Sequence, residues 1–212
     1  MDASERRTRL EALVAAAGLT PLDEKTASRF LDYLSLFVRW NGRLNLSAVH
    51  DEEGILSRHI IESIAFASEL PPEMRTLLDF GSGAGLPGIP IALCRPEIAV
   101  TLGESQGKKA AFLQEALRVL GIRAQVHAGR AEELHSVFDC VVLRAVDKMP
   151  KAVAAAVRLV APAGWLALMT TTGELERLKR AAGKEFSWPI VKPLTGSSQR
   201  IVAFGSRFNL QP

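Results

Sequence analysis

Paired cysteines, metal-ligand spacing and apolar runs of membrane length are all missing from this chain, and each absence removes a class of explanation. The two cysteines, Cys94 and Cys140, are isolated, one next to Leu93 and the other next to Asp139. They read as buried small residues of a reducing compartment rather than as a disulfide. His50, His59, His127 and His135 share no ligand spacing with the cysteines or with one another, so no metal is expected. The nearest approach to a membrane span, Ala152 to Met169, is interrupted by Arg158, Pro162 and Gly164. Met1 to Arg9 is polar and carries acids, unlike a signal or transit peptide. A cytoplasmic location is the resulting expectation. Internal repeats and low-complexity tracts are absent too.

What remains has an ordinary globular composition. The 212 residues are 48% hydrophobic, enough for one domain with a real core and room for an appended subdomain. The net charge of +3 is unevenly spread. Residues 1–70 hold 8 Lys/Arg against 11 Asp/Glu, a balance of −3, and residues 71–212 hold 18 against 12, a balance of +6. An excess of this size is compatible with a nucleic-acid partner but does not require one.

The pair Pro71-Pro72 is the clearest boundary. Before it the spacing is helical: Ser4 to Ala17 with Gly18 as its stop, a longer segment capped by Asp23 and reaching about Leu44, and a third from Asp51 to Leu70. After it strands and helices alternate. Strands are expected at Thr76–Phe80, Ile98–Glu104, Arg123–His127, Phe138–Leu143 and Trp165–Thr170. Helices are expected at Ile89–Cys94, Gly107–Leu120, Lys151–Val160 and Glu174–Ala182, with a short turn near Ala131. Glu185–Lys192 and Gln199–Ser206, joined by Thr195-Gly196-Ser197-Ser198, read as a hairpin-like pair at the sheet's edge. The fold class is α/β, a doubly wound, mostly parallel sheet on residues 71–212 with a helical extension on residues 1–70, together one compact unit.

The organising stretch runs from Leu77 to Pro90, where an apolar strand closed by Asp79 breaks into alternating glycines and then a helix. Such a turn lets a ligand lie against bare backbone. A dinucleotide fingerprint would need glycine three residues after Gly83, but Leu86 is there. The spacing is instead Asp79-x-Gly81-x-Gly83-x-Gly85, the pattern of class I S-adenosylmethionine-dependent methyltransferases. That cofactor carries an ammonium and a sulfonium, so an acid beside the turn attracts it. The second strand ends at Glu104, where a carboxylate can accept both ribose hydroxyls. After the third strand, Ala131 and Glu132 are candidates for the adenine end.

Gly81-Ser82-Gly83-Ala84-Gly85-Leu86-Pro87-Gly88-Ile89-Pro90 resembles the long glycine motif of the RsmG methyltransferases, also called glucose-inhibited division protein B. Trp40-Asn41 with Asn45-Leu46, His59 with Glu62-Ser63, Thr101 to Lys109, Arg130-Ala131-Glu132 and Arg144-Ala145 resemble that family's further signatures in order and spacing. The resemblance covers about residues 30–170. It implies methyl transfer to guanine N7 of small-subunit (16S) ribosomal RNA, as free RNA or in the ribosomal particle, by a monomer with no membrane attachment. It further implies that Gly81 and Leu86 contact the cofactor, that Ala131 and Glu132 hold its adenine end, and that Arg144 sits between cofactor and target base.

Guanine N7 has an exposed lone pair, so this chemistry needs positioning rather than a base. In keeping with that, the chain has no Asn/Asp-Pro-Pro-aromatic motif of the exocyclic-amine methylators, and neither cysteine follows a proline. Arg144 could orient N7 by a fork to guanine O6; the alternative is an ion pair to Asp147 or Asp139. Lys108 and Lys109 are RNA-binding candidates, with Arg6, Arg7 and Arg9 weaker ones, although solvated lysines explain the pair equally well. Two departures from the family pattern stand out. No lysine follows the fifth strand near Met169-Thr170, a role that Lys148 or Lys151 could take, and Gly103 replaces a larger apolar residue. The rival readings are a class I methyltransferase for another RNA or a small molecule, a nicotinamide oxidoreductase, which Leu86 and Asp79 disfavour, and a non-catalytic RNA-binding module.

Overall fold

The structure is a computed structural model in which residues 1–194 and 200–208 are described. Seven strands form one sheet in the order β3-β2-β1-β4-β5-β7-β6. They are β1 Thr76–Phe80, β2 Ala99–Gly103, β3 Gln125–His127, β4 Phe138–Arg144, β5 Val160–Thr171, β6 Phe186–Pro193 and β7 Arg200–Arg207. The first five are parallel, and β7 enters antiparallel between β5 and β6. Strand order reverses between β1 and β4, which opens a crevice above their carboxyl ends. The expected linker Thr195-Gly196-Ser197-Ser198 between the last two strands lies outside the described residues.

Eight α-helices flank the sheet among the described residues: α1 Ala3–Ala16, α2 Glu24–Leu44, α3 Glu52–Ile55, α4 Ile61–Ser68, α5 Gly88–Cys94, α6 Gly107–Leu120, α7 Met149–Ala156 and α8 Thr172–Ala182. Period-two alternation in the strands sorts the core into two layers. Leu77, Val142 and Ala167 face one layer with α1 to α6, while Leu78, Val141 and Leu168 face the other with α7 and α8. The N-terminal helices therefore complete one face of the sheet. Phe66 of α4 stacks on Phe204 of β7 at 5.4 Å, and Trp40 of α2 meets Phe112 of α6 at 5.7 Å.

Asp23 caps α2 as expected, its carboxylate accepting from Thr26 N. Two elements differ from the sequence reading. The helix expected over Asp51 to Leu70 is interrupted by a π turn at Leu56–Ile60, where the Ile61 N–H reaches back to the Leu56 carbonyl. The helix expected to reach Val160 ends at Ala156, because Val160 already pairs with Phe138 and begins β5. Between Phe138 and Cys140 of β4 the register shifts, so that β5 bulges through Pro162 and Gly164 and begins five residues before the expected Trp165, where regular pairing resumes.

Candidate functional site

The glycine turn is built on β2. Gly81 N and Ser82 N both donate to the Gly103 carbonyl at 2.9 Å, and Ser82 Oγ donates to the Asp79 carbonyl. Gly83, at φ +56°, adopts a left-handed conformation in open space and donates its N–H to Glu104 Oε2 at 2.9 Å. Glu104 Oε1 accepts from Gln106 N at 2.7 Å. The carboxylate, only 6% exposed, is thus pinned by backbone at both oxygens, and each oxygen keeps lone-pair capacity for a ligand.

Two cavities lie over the switch point, of about 480 and 410 Å3, within the range of small-molecule sites. The first is lined by Gly81, Gly83, Leu86, Glu104, Lys109 and Arg144, and its outer wall is the Leu46–Ala48 loop. The second is lined by Gly103, Arg130, Ala131 and Glu132, with Lys148 and Lys151 on its rim. They share Gly81, Ser105, Gln106, Val146 and Asp147, so they are two halves of one crevice. A side chain at 103 would press on Ala131 Cβ at 3.2 Å, so the glycine lets the Ala131 loop close onto β2.

Asp79 and Gly85 sit beneath this crevice rather than in it. The Asp79 carboxylate is 1% exposed and accepts from Gly88 N at 3.0 Å, under the start of α5. Burial pushes its pKa up to about 7, against the Gly88 and Ser82 hydrogen bonds that favour the anion. Gly88 is fixed by this packing, since a Cβ there would collide with Leu102 and with Asp79 itself. Gly85 likewise packs against Ile89 and Leu113. With the carboxylate already at its first turn, α5 offers no berth for a pyrophosphate, which argues against a dinucleotide. Asp79 supports the turn; of the two acids, Glu104 is the one that lines the crevice.

Arg144 corrects a second expectation. Its partner is Glu62, at 3.0 Å, and not Asp147 or Asp139; the Asp139 carboxylate instead accepts from Arg75 N and Thr76 N. Nη1 also donates to Ser63 Oγ at 3.0 Å, and Nη2 to the Arg58 carbonyl and to His59 Nδ1, each at 3.0 Å. The guanidinium is therefore occupied in joining β4 to the π turn, a bulge of the kind often found at functional sites. Ala145, at φ +49°, then turns the chain sharply. His59 Nδ1 also lies 3.1 Å from the Arg58 carbonyl, and Nε2 lies 2.7 Å from Ser47 Oγ, so the ring is held at both nitrogens. Burial, then Arg144, holds the His59 pKa down at about 4, so the ring is neutral at pH 7.

A third cavity of about 350 Å3 opens on the far side of Arg144. It is lined by His59, Glu62, Ala145, Met169, Thr170, Thr171, Glu174 and Arg200, and shares His59, Arg144 and Ala145 with the crevice. Arg200 pairs with Glu62 through Nη2 at 2.6 Å and Nη1 at 2.9 Å. Arg200 pairs in register with Thr171 across β5 and β7, so the cation expected of a lysine near Met169-Thr170 enters from β7. Lys148 and Lys151 line the Ala131 half of the crevice instead.

The sequence alone assigns no structural role to two residues that frame the site. The fully buried Tyr33 hydroxyl donates to the Ala84 carbonyl of the glycine turn at 2.6 Å. Asn41 holds the Leu46–Ala48 wall, accepting from Ser47 N and donating to the Val49 carbonyl, both at 2.8 Å. Of the surface cations, Lys108 is exposed at the start of α6, and Lys109 faces the crevice. Arg6, Arg7 and Arg9 are each ion-paired, to Glu52, to Glu11 and Glu24, and to Glu53.

Comparison with known proteins agrees with this geometry. A protein of Xanthomonas oryzae pv. oryzae (strain MAFF 311018) named ribosomal RNA small subunit methyltransferase G is 44% identical over 151 residues, 70% of each chain. One of the same name from Neisseria meningitidis serogroup A (strain Z2491) is 35% identical over 208 residues, 96% of this chain and all of the other. The crystal structure of M. jannaschii TYW2 in complex with AdoMet shares the fold, with a TM-score of 0.56 at 17% identity over 71% of this chain and 76% of that one. The family model described as rRNA small subunit methyltransferase G matches residues 26–192, and the chain belongs to that family.

Proposed function

We propose that this protein transfers the methyl group of S-adenosylmethionine to N7 of a guanine in small-subunit ribosomal RNA. The observation that carries the reading is the crevice at the switch point, with the Glu104 carboxylate fixed beside Gly83, opening past Arg144 and Ala145 into a second pocket.

The crevice suits a cationic nucleoside. Glu104 accepts from the ribose hydroxyls, Ala131 and Glu132 take the adenine end, and Gly81, Gly83 and Leu86 form the floor of the other half. The cofactor supplies the electrophilic methyl group. The pocket beyond Arg144 receives the target base, placing its N7 edge toward the shared boundary at Ala145. His59, neutral and bonded on both nitrogens, is a wall rather than a proton acceptor, which suits an acceptor atom that carries no proton. Arg144 acts by holding that wall in place, and its positive charge is balanced by Glu62. Lys109, which lines the crevice, and its exposed neighbour Lys108 take RNA phosphates in this reading.

Residues 1–70 and 71–212 act as one unit in this reading, because Tyr33, Asn41, Ser47 and His59 complete a site whose glycine turn belongs to the second segment. The test is methyl transfer from labelled S-adenosylmethionine by the purified protein, with naked small-subunit RNA and with small-subunit particles as acceptors. N7-methylguanine in either is the expected product. Label on another RNA class or a small molecule alone would replace this acceptor with the rival one.

A further inference from the structure

We propose that Glu62 is the positioning residue of the acceptor pocket, one buried carboxylate that holds Arg144 and Arg200 together on the pocket wall. The proposal rests on the reading that this pocket receives the RNA base. Glu62 sits in the first turn of α4, and its side chain is 3% exposed. Arg144 arrives from the end of β4 and Arg200 from the start of β7, 82 and 138 residues away in sequence. Both guanidinium groups reach Glu62 Oε2, at 3.0 and 2.9 Å, and Arg200 adds a second bond to Oε1 at 2.6 Å.

Two like charges so close would separate without an anion between them. All three side chains line the pocket, and the Arg200 side chain is 32% exposed. An ion triad is an expensive way to fill a buried seam, since an apolar side chain of the same volume would stabilise the fold as well or better. What the apolar alternative cannot do is fix two cationic forks at the mouth of a pocket that must accept an anionic chain. Burial raises the Glu62 pKa while both arginines oppose it, as expected for a carboxylate placed for geometry rather than for solvation.

The test compares the native enzyme with Glu62→Gln, which keeps the shape and loses the charge, and Glu62→Asp, which keeps the charge on a shorter arm. The KM for small-subunit RNA should rise about tenfold or more in Glu62→Gln, in line with unpairing a buried charge. The dissociation constant for S-adenosylmethionine should stay within about twofold, because Glu62 lines the acceptor pocket and not the crevice of Glu104 and the glycine turn. Glu62→Asp should recover most of the RNA affinity. A native KM in Glu62→Gln overturns the proposal. So does a parallel loss of cofactor and RNA binding that Glu62→Asp does not repair, since that is the signature of general fold support. If Glu62→Gln does not fold, Arg200→Gln decides, with Glu62→Asp as the near-native control: a raised RNA KM in Arg200→Gln with native cofactor binding supports the proposal, and a native RNA KM in Arg200→Gln overturns it. Absence of transfer to ribosomal RNA by the native enzyme would instead remove the functional reading beneath it.

Discussion

Replacing Tyr33 by phenylalanine isolates the link between the helical segment and the cofactor turn. The ring stays in its fully buried site against Phe37, and only the hydroxyl that donates to the Ala84 carbonyl at 2.6 Å is removed. Burial holds the Tyr33 pKa well above 10, so the native hydroxyl is a donor at every working pH. Removing it leaves a carbonyl of a 5% exposed residue without that partner, at a cost of about 1–3 kcal/mol. For a chain of this length the cost lowers Tm by roughly 2–12 °C. Because the carbonyl belongs to the glycine turn, part of the loss should also appear as weaker S-adenosylmethionine binding, about fivefold for each 1 kcal/mol that bound cofactor must recover. Differential scanning calorimetry and isothermal titration calorimetry at 20–25 °C measure the two separately. Native Tm and native cofactor affinity together would refute the coupling; a lower Tm with native affinity would reduce Tyr33 to a fold-stabilising residue.

Arg144→Ala leaves Glu62, a 3% exposed carboxylate, with Arg200 as its remaining cation and removes the buried bonds to Ser63 and the π turn, so it should destabilise the fold by about 1–3 kcal/mol; chemical denaturation reads this, and normal stability with normal methylation and cofactor binding would overturn the assigned role. Asp79 carries the opposite sign of pH dependence from a salt-bridged carboxylate. Its folded pKa of about 7 exceeds the unfolded value, so its destabilising cost grows as pH rises from about 4 to 7 and is constant above, reaching about 4 kcal/mol. Asp79→Asn, which keeps an acceptor for Gly88 N, should therefore gain in Tm over the native protein between pH 5 and pH 8; a constant difference would refute the shift. Lys108→Ala should weaken RNA binding and lower the salt slope by about one unit, without altering cofactor affinity, as followed by filter binding across salt concentrations.

The sheet and most helices could be read from the sequence because their signals are local. A short apolar run ending at the glycines marks β1, Gly121 closes α6, and Asp23 caps α2. The glycine turn and Glu104 were legible for the same reason as parts of one crevice. The roles of Asp79 and Gly85 were not, because spacing cannot distinguish a residue lining a crevice from one buried beneath it. The π turn at Leu56–Ile60 left no mark in the hydrophobic period, yet it supplies the carbonyl and imidazole groups that Arg144 binds. His59 and Glu62 were visible as a pair one turn apart, but the arginines that engage them come from strands far away in sequence. Tyr33 offered no motif at all, and its partner is a backbone carbonyl 51 residues away.

The most direct test of the central claim is mass mapping of modified guanines in small-subunit ribosomal RNA from cells with and without this protein. The account predicts one N7-methylguanine present in the first RNA, missing in the second, and restored by the native protein but not by a Glu104→Ala variant that cannot hold the cofactor ribose. Identical N7-methylguanine maps from the two cell types would contradict it.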